Sequence, residues 1–191
     1  MKRLGIGSHF PKISLTDIGN KSINIVDGIN TKYCILLFFR GVWWPKCTLQ
    51  LEGYRKYRVL FEKLGASIIA ASVDSIDDTK RLAAGNCFPK REKEFGFTLC
   101  HSVTREISDT LGAYWEENNN FMQPAEFVIN CNLNKNCLNF KNSYQPKDKL
   151  DKYIIKGATY STKFVPLMNG AAEGSEYTDI MANDLNRLLV D

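Results

Sequence analysis

Short apolar segments along the chain predict the strands of a buried sheet. Residues 33–39 (YCILLFF) and 67–73 (SIIAASV) are almost continuously apolar, which is typical of strands covered on both faces. Residues 12–16 and 22–26 alternate apolar and polar positions on either side of an Asp-Ile-Gly-Asn turn, so they predict a β-hairpin. Shorter strands are predicted at residues 97–101, 126–129 and 137–140, and the last two form a second hairpin.

Helical periodicity is found between these strands. A stripe of apolar side chains runs through residues 47–64, and Gly65 follows it as a residue type that commonly ends helices. Ser75 followed by Asp78 is a capping-box pattern, which predicts a helix that starts there. Two more helices are predicted at residues 104–111, with Gly112 as the stop, and at residues 179–190.

The alternation of strands and helices defines the fold class. Short loops between β and α units predict an α/β protein with a central mixed β-sheet flanked by helices and an N-terminal β-hairpin. Residues 115–123 are predicted to be an Asn-rich loop, and no linker separates two units, so residues 5–191 form one domain. Between residues 141 and 178 the periodicity fails, and we expect an irregular segment before the C-terminal helix.

Composition and charge exclude several classes of protein. The chain has 191 residues, 44% of them hydrophobic, which suits one domain with a sizeable core. No apolar run approaches the length of a membrane-spanning helix, and the basic N-terminus has no apolar segment behind it, so we expect a cytoplasmic protein. The net charge of +4 is dispersed rather than gathered in a basic stripe, which argues against nucleic acid as a partner.

Six cysteines are present, and in a cytoplasmic protein they are expected to be reduced. The chain contains no Cys-x-x-Cys pair, and its two histidines, His9 and His101, are in unrelated positions, so neither a zinc site nor a cofactor is expected. Cys34 lies inside an apolar run and reads as a small core residue.

One stretch combines an element boundary with reactive chemistry. Residues 38–51 read FFRGVWWPKCTLQL, so a predicted strand ends at Arg-Gly, and Cys47 follows at the start of a predicted helix. A free thiol of pKa about 8.5 is mostly protonated at neutral pH, and lowering that pKa by about two units needs about 2.7 kcal/mol. A helix N-terminus contributes about 0.3–1 kcal/mol and at best about 2. A cation is therefore needed, and Arg40 is the candidate, with a surface salt bridge as its alternative role.

Several segments resemble a known family in their order and spacing. Residues 7–15 (GSHFPKISL) are similar to the opening of the alkyl hydroperoxide reductase C/thiol-specific antioxidant superfamily, and residues 39–51 resemble its peroxiredoxin-like branch, F-Y-R-G-x-W-C-P-x-C-x-L-Q-L. Residues 72–74 (SVD) and 123–129 (QPAEFVI) match later blocks, so the resemblance covers roughly residues 5–142. It implies a thioredoxin-like fold and a thiol peroxidase in which Cys47 is the peroxidatic cysteine.

The same alignment shows where this chain departs from the family. Trp44 stands where the branch has the first cysteine of C-P-x-C, and Gln50 stands where peroxiredoxins have a glutamate three residues after the cysteine. The family also places an arginine just before the strand at residues 126–129, where this chain has Gln123 and Pro124. Pro124 matches the proline that thioredoxins carry beside the active thiol, often in cis, and it is expected to form a wall of the site.

The resemblance also implies partners and a catalytic cycle. A hydrogen peroxide or organic hydroperoxide substrate oxidises Cys47 to a sulfenic acid. Cys87 is the candidate resolving cysteine, thioredoxin or a glutathione-type molecule is the reductant, and a homodimer is one candidate assembly. Two alternatives stay open. The chain could be a catalytically relaxed thioredoxin-fold binding module that uses residues 141–178 for recognition, or a monothiol thiol–disulfide oxidoreductase.

Overall fold

The computed structural model describes residues 3–5, 7–85 and 95–131, together with the backbone of residues 154–160. Nine strands and three helices lie in these ranges. The strands are β1 (Ser14–Asp17), β2 (Ser22–Asn24), β3 (Tyr33–Phe38), β4 (Ala66–Ala71), β5 (Thr98–His101), β6 (Trp115–Glu116), β7 (Phe121–Met122), β8 (Ala125–Asn130) and β9 (Ile154–Tyr160). The helices are α1 (Pro45–Lys63), α2 (Ile76–Ala83) and α3 (Arg105–Leu111).

Seven of the strands form one mixed sheet, which confirms the predicted fold class. The strand order is β2-β1-β5-β4-β3-β8-β9. β3, β4 and β5 are parallel, while β1 runs antiparallel to both β2 and β5, and β8 runs antiparallel to both β3 and β9. β3 is therefore a central strand with partners on both edges, as its continuous apolar sequence predicts. Its end is the point from which the chain reaches Cys47.

The helix boundaries follow from local sequence. α1 begins with Pro45, whose fixed φ and missing N–H suit the first helical position. Ser75 and Thr104 cap α2 and α3 by accepting a hydrogen bond from the backbone N–H three residues further on. Gly65 and Gly112 follow α1 and α3 with φ values of +74° and +68°, a conformation that glycine adopts without strain. The Ser75 cap and both glycine stops were predicted from the sequence, whereas α1 begins two residues before its predicted start at Cys47.

Each face of the sheet carries its own apolar core. On one face, α1 and α2 pack against the central strands, and the buried side chains include Cys47, Leu51, Tyr54, Phe61 and Leu82. On the other face, the N-terminal segment and α3 close a second core. The buried thiols of this second core are Cys34, Cys100 and Cys131. None of the helices in the described ranges combines the length and apolar character needed to cross a bilayer.

The expectation of a loop at residues 115–123 is wrong, and the expectation of an irregular segment at residues 141–178 is wrong for residues 154–160. The segment 115–123 contains β6 and β7, which pair with each other as a small hairpin. The segment 141–178 contains β9, which pairs with β8 along its whole length. The register between these strands shifts at Val128/Ile129, so that Val128 faces Gly157 and Ile129 faces Ile155. This bulge breaks the two-residue period, which is why the sequence did not reveal the strand.

Smaller differences concern element ends and undescribed positions. β2 stops at Asn24 because the Asn24 side chain accepts hydrogen bonds from the N–H groups of Val26 and Asp27 and turns the chain. The predicted strand at residues 137–140 and the predicted helix at residues 179–190 lie outside the described residues, and so does Cys87.

Candidate active site around Cys47

Cys47 is the third residue of α1, at the end of a short loop that leaves the central strand β3. Phe39 still belongs to the sheet pattern, because its N–H donates to the carbonyl of Ala71 at 3.0 Å. The loop then closes in two steps. Trp44 N–H donates to the Gly41 carbonyl at 3.2 Å, and Cys47 N–H donates to the Trp44 carbonyl at 3.0 Å. The thiol is thus fixed at a helix N-terminus next to the strand end, as the sequence predicted.

The thiol of Cys47 lies in a buried environment that contains polar donors. The backbone N–H groups of Arg40 and Gly41 donate hydrogen bonds to the sulfur, and both lower its pKa. The positive charge of Arg40 lowers the pKa further, while the negative charge of Asp74 raises it. Burial is the largest effect, and it raises the pKa of Cys47 to about 11. In this arrangement the Cys47 thiol is protonated at neutral pH.

Arg40 is buried beside the thiol rather than paired at the surface. Its Nε donates to Gln123 Oε1 at 3.0 Å, and its guanidinium lies 5.0 Å from the ring centroid of Trp44 and 5.7 Å from that of Phe121. Among the ion pairs of the described ranges, none involves Arg40. Its surroundings therefore fit the expected role of an uncompensated positive charge near Cys47 better than the alternative of a surface salt bridge.

The other predicted site residues are placed as follows. Trp44 is half-buried, is the N-cap residue of α1 and makes no side-chain cap hydrogen bond. Gln50 lies one turn beyond Cys47 and donates from Nε2 to the Glu126 carboxylate. Pro124 precedes β8, between Gln123 and Ala125, and Ala125 pairs with the last residue of β3. The peptide bond that precedes Pro124 is trans, unlike that of the thioredoxin proline.

Two buried carboxyl groups near the site escaped sequence analysis. Glu126 accepts from Gln50 and, at 3.4 Å, from the Tyr54 hydroxyl; burial raises its pKa to about 7, and the Tyr54 hydrogen bond opposes the rise. Asp74 accepts from Ser72 Oγ–H at 2.6 Å, and burial raises its pKa as well. A lone acidic residue inside an apolar strand (AEFVI) was the available signal for Glu126, since such residues are seldom buried without partners.

An open pocket lies over this part of the molecule. Its volume is about 440 Å³, and its wall combines one guanidinium with three aromatic rings. Within residues 3–5, 7–85 and 95–131, no group of three metal-binding side chains is arranged to hold a metal ion. The lining residues are Arg40, Trp43, Trp44, Val73, Asn119 and Phe121.

The mixed sheet has helices on both faces, and a short loop leads from a central strand to a cysteine at a helix N-terminus. This is the architecture of a thioredoxin-like fold. The sequence matches the AhpC/TSA family over residues 6–134, and the chain belongs to that family. It is 26% identical to peroxiredoxin Bcp of Escherichia coli strain K12 over 118 residues, which are 61% of this chain and 70% of that protein.

Solved structures of peroxiredoxins have the same fold at low sequence identity. AhpC of Mycobacterium tuberculosis superposes with a TM-score of 0.66 at 17% identity and covers 98% of this chain and 99% of its own. Peroxiredoxin 6 of Arenicola marina gives a TM-score of 0.69 at 17% identity and covers 97% of this chain and 73% of its own. Peroxidoxin BcpB of M. tuberculosis gives 0.62 at 14% identity, with coverage of 94% and 99%.

Proposed function

We infer that the protein is a thiol peroxidase of the peroxiredoxin class, which reduces hydrogen peroxide or organic hydroperoxides through a sulfenic acid on Cys47. Family membership and the resemblance to peroxiredoxin Bcp support the class of enzyme. The observation that carries the assignment of Cys47 is its set of neighbours. Two backbone N–H groups and the charge of Arg40 act together on its sulfur at a helix N-terminus.

The oxidative step is a displacement at oxygen. The Cys47 thiolate attacks the distal oxygen of the hydroperoxide, so that an S–O bond forms and the O–O bond breaks. The sulfur loses two electrons and the peroxide gains them. The thiol proton and the substrate proton end up on the sulfenic acid and on the released water or alcohol. Arg40 stabilises the thiolate and the negative charge that develops on the leaving oxygen, since its positive charge lowers the pKa of Cys47.

The return step needs a second thiol. The sulfenic acid condenses with a thiol to give a disulfide and water, and a dithiol reductant of the thioredoxin type, or glutathione, then reduces that disulfide. Cys87 is our candidate for the internal thiol on the resemblance to the family. The four described cysteines, Cys34, Cys47, Cys100 and Cys131, are free thiols, which fits the reducing cytoplasm as the proposed location. A homodimer remains our proposed assembly.

Burial sets a condition on this chemistry. Because burial is the largest cause of the high pKa of Cys47, the thiolate forms more easily when the sulfur is better solvated than in this arrangement. With burial reduced, the two backbone donors and Arg40 are left as the main influences, and all three lower the pKa. We therefore propose that a solvated or substrate-filled state of the Arg40–Trp44 loop is the reactive one.

The test is peroxide consumption coupled to trapping of the intermediate. We expect hydrogen peroxide and cumene hydroperoxide to be consumed in the presence of dithiothreitol, and we expect dimedone to label Cys47 after one equivalent of peroxide, as read by peptide mass. Omission of peroxide is the control for labelling. Peroxide consumption no faster than in buffer alone, with no dimedone adduct on Cys47, would contradict the peroxidase function and favour the binding module.

A further inference from the structure

Asp74 is a buried carboxylate that joins the end of β4 to the loop before α1. It lies three residues beyond β4, and 8% of its surface is exposed. Its Oδ2 accepts from Val42 N–H at 2.8 Å and from Ser72 Oγ–H at 2.6 Å. Its own carbonyl accepts from Ser102 N–H at 3.0 Å, after the end of β5. The carboxylate is therefore fixed by two strand ends before it contacts the loop.

Three consecutive N–H groups of that loop have two acceptors. The N–H groups of Arg40 and Gly41 donate to the Cys47 sulfur, and the next N–H, that of Val42, donates to Asp74. The peptide plane that carries the Val42 N–H is joined to the plane that carries the Gly41 N–H by the α-carbon of Gly41. When a hydrogen bond holds the first plane, the rotation of the second is restricted. Asp74 therefore restrains the direction of the donors that face Cys47.

Close contact at Gly41 shows how tightly the loop fits this carboxylate. A Cβ added to Gly41 would lie 2.8 Å from Asp74 Oδ1 and 2.3 Å from Trp43 Nε1. Both separations are shorter than any normal carbon contact, so only glycine allows the loop this close to Asp74. The carboxylate thus contacts the loop through a hydrogen bond at Val42 and through packing at Gly41.

The charge of Asp74 acts on Cys47 in the opposite direction. A carboxylate near a thiol disfavours the thiolate, and Asp74 raises the pKa of Cys47 while Arg40 lowers it. Within the described ranges, the negative charge of Asp78 in α2 also raises the pKa of Asp74. The geometry of Asp74 favours a reactive Cys47, and its charge opposes ionisation of Cys47.

We propose that Asp74 is the positioning residue of the Cys47 site: its carboxylate holds the loop so that the Arg40 and Gly41 N–H groups face the sulfur. This inference rests on the proposed role of Cys47 as the reactive thiol. It does not require that peroxide be the substrate, because it concerns the thiol alone.

Two substitutions separate the two effects. Asp74→Asn removes the charge and keeps an oxygen that accepts from Val42 N–H, while Asp74→Ala removes both. We expect Asp74→Asn to lower the pKa of Cys47, with alkylation at pH 7 about threefold to tenfold faster than in wild type. We expect Asp74→Ala to lack part of this gain and to react at least about threefold more slowly than Asp74→Asn.

The measurement is the rate of iodoacetamide labelling of Cys47 against pH, read by peptide mass. Asp109→Asn is the control, because it removes a partly exposed carboxylate from α3 on the other face of the sheet, and we expect no change in the Cys47 pKa. Equal rates for Asp74→Asn and Asp74→Ala would overturn the positioning role. Equal rates for wild type and Asp74→Asn would overturn the charge effect.

Two further readings keep the test decisive. If Asp74→Ala does not fold, Ser72→Ala takes its place. Ser72→Ala retains the charge of Asp74 but removes one of the donors that orient its carboxylate, so slower labelling than in wild type supports the proposal and an unchanged rate contradicts it.

Peroxide turnover is measured in parallel. If the variants show the expected order of labelling rates but no peroxide is consumed, the role of Asp74 is supported and the peroxidase function is contradicted. If peroxide is consumed but all variants label at the same rate, the peroxidase function is supported and the role of Asp74 is contradicted.

Discussion

The two faces of the central sheet both bury thiols, yet of Cys34, Cys47 and Cys100 only Cys47 has two backbone N–H donors and a cation. Cys100, on the face closed by α3, has its pKa raised to about 12 by burial and by the charge of Asp17. Burial also raises the pKa of Cys34, on the same face, and one hydrogen bond from Ser67 opposes the rise. Cys47 is as deeply buried but has two N–H donors and Arg40. The difference shows that the groups around a thiol, rather than its exposure, distinguish the candidate active site.

The strongest test of this comparison exchanges one thiol on each face. Cys47→Ser removes the proposed nucleophile, so we expect peroxide consumption to fall by at least about a thousandfold. Cys100→Ala removes an equally buried thiol on the other face, and we expect it to keep turnover within about twofold while losing about 1 kcal/mol of stability. Steady-state peroxide assays and urea unfolding measure the two effects. A comparable loss of turnover in Cys100→Ala would contradict the comparison.

The buried carboxyl group of Glu126 lies on the Cys47 face of the sheet, and it makes the stability of the folded protein depend on pH. The pKa of Glu126 is raised from 4.5 to about 7, so the stabilisation from its protonated form is complete below pH 4.5 and is lost as pH rises through 7. Glu126→Gln imitates the protonated acid. We expect the variant to be more stable than wild type by about 3 kcal/mol at pH 8, with the gain vanishing near pH 4.

Chemical unfolding of both proteins across this pH range measures the effect. The exposed Glu117→Gln, which removes a partner of Arg105 outside both cores, serves as the control and should show no such pH-dependent gain. A constant difference between Glu126→Gln and wild type from pH 4 to pH 8 would show that Glu126 is not the titrating group.

Arg40 sharpens the comparison because no cation lowers the pKa of Cys34 or Cys100 on the other face. Arg40→Met removes the charge and keeps a long side chain between Trp44 and Phe121. We expect the pKa of Cys47 to rise and alkylation at neutral pH to slow about tenfold. Lys46→Met is the matched control, since Lys46 adjoins Cys47 in sequence but is not among the main influences on its pKa. Equal slowing in both variants would point to general charge rather than to Arg40.

The smallest expected effect concerns packing of the loop. Gly41→Ala places a methyl group against Trp43 and Asp74, so we expect a loss of about 1–2 kcal/mol of stability and slower labelling of Cys47. Gly5→Ala is the control, because a Cβ there meets no atom within 4 Å. Thermal unfolding and iodoacetamide labelling measure both variants. Unchanged labelling in Gly41→Ala would mean that the loop tolerates displacement.

The sequence predicted those features that depend on neighbouring residues. The Ser75 cap and the glycine stops are local, since each depends on side chains within one helical turn. The position of Cys47 at the helix N-terminus follows from the same local signals. The resemblance to the family supplied its chemical meaning.

The partners of the site could not be predicted, because they come from remote strands. Arg40 contacts Gln123, Gln50 contacts Glu126, and Val42 contacts Asp74. Each pair depends on sheet register, which no local period encodes. β9 was missed for the related reason that its bulge disrupts the alternation on which strand prediction depends.

The antiparallel pairing of β3 with β8 has a consequence for the order of folding. It brings Gln123 against Arg40 although 83 residues separate them in the chain, and contacts of such separation are slow to form. The N–H donors of the Cys47 sulfur are local to its loop, but the Gln123 hydrogen bond that orients the Arg40 side chain forms only when β8 has docked. We therefore expect the labelling rate of Cys47 during refolding to change when Gln123 reaches Arg40, so that this thiol reports when β8 joins the sheet.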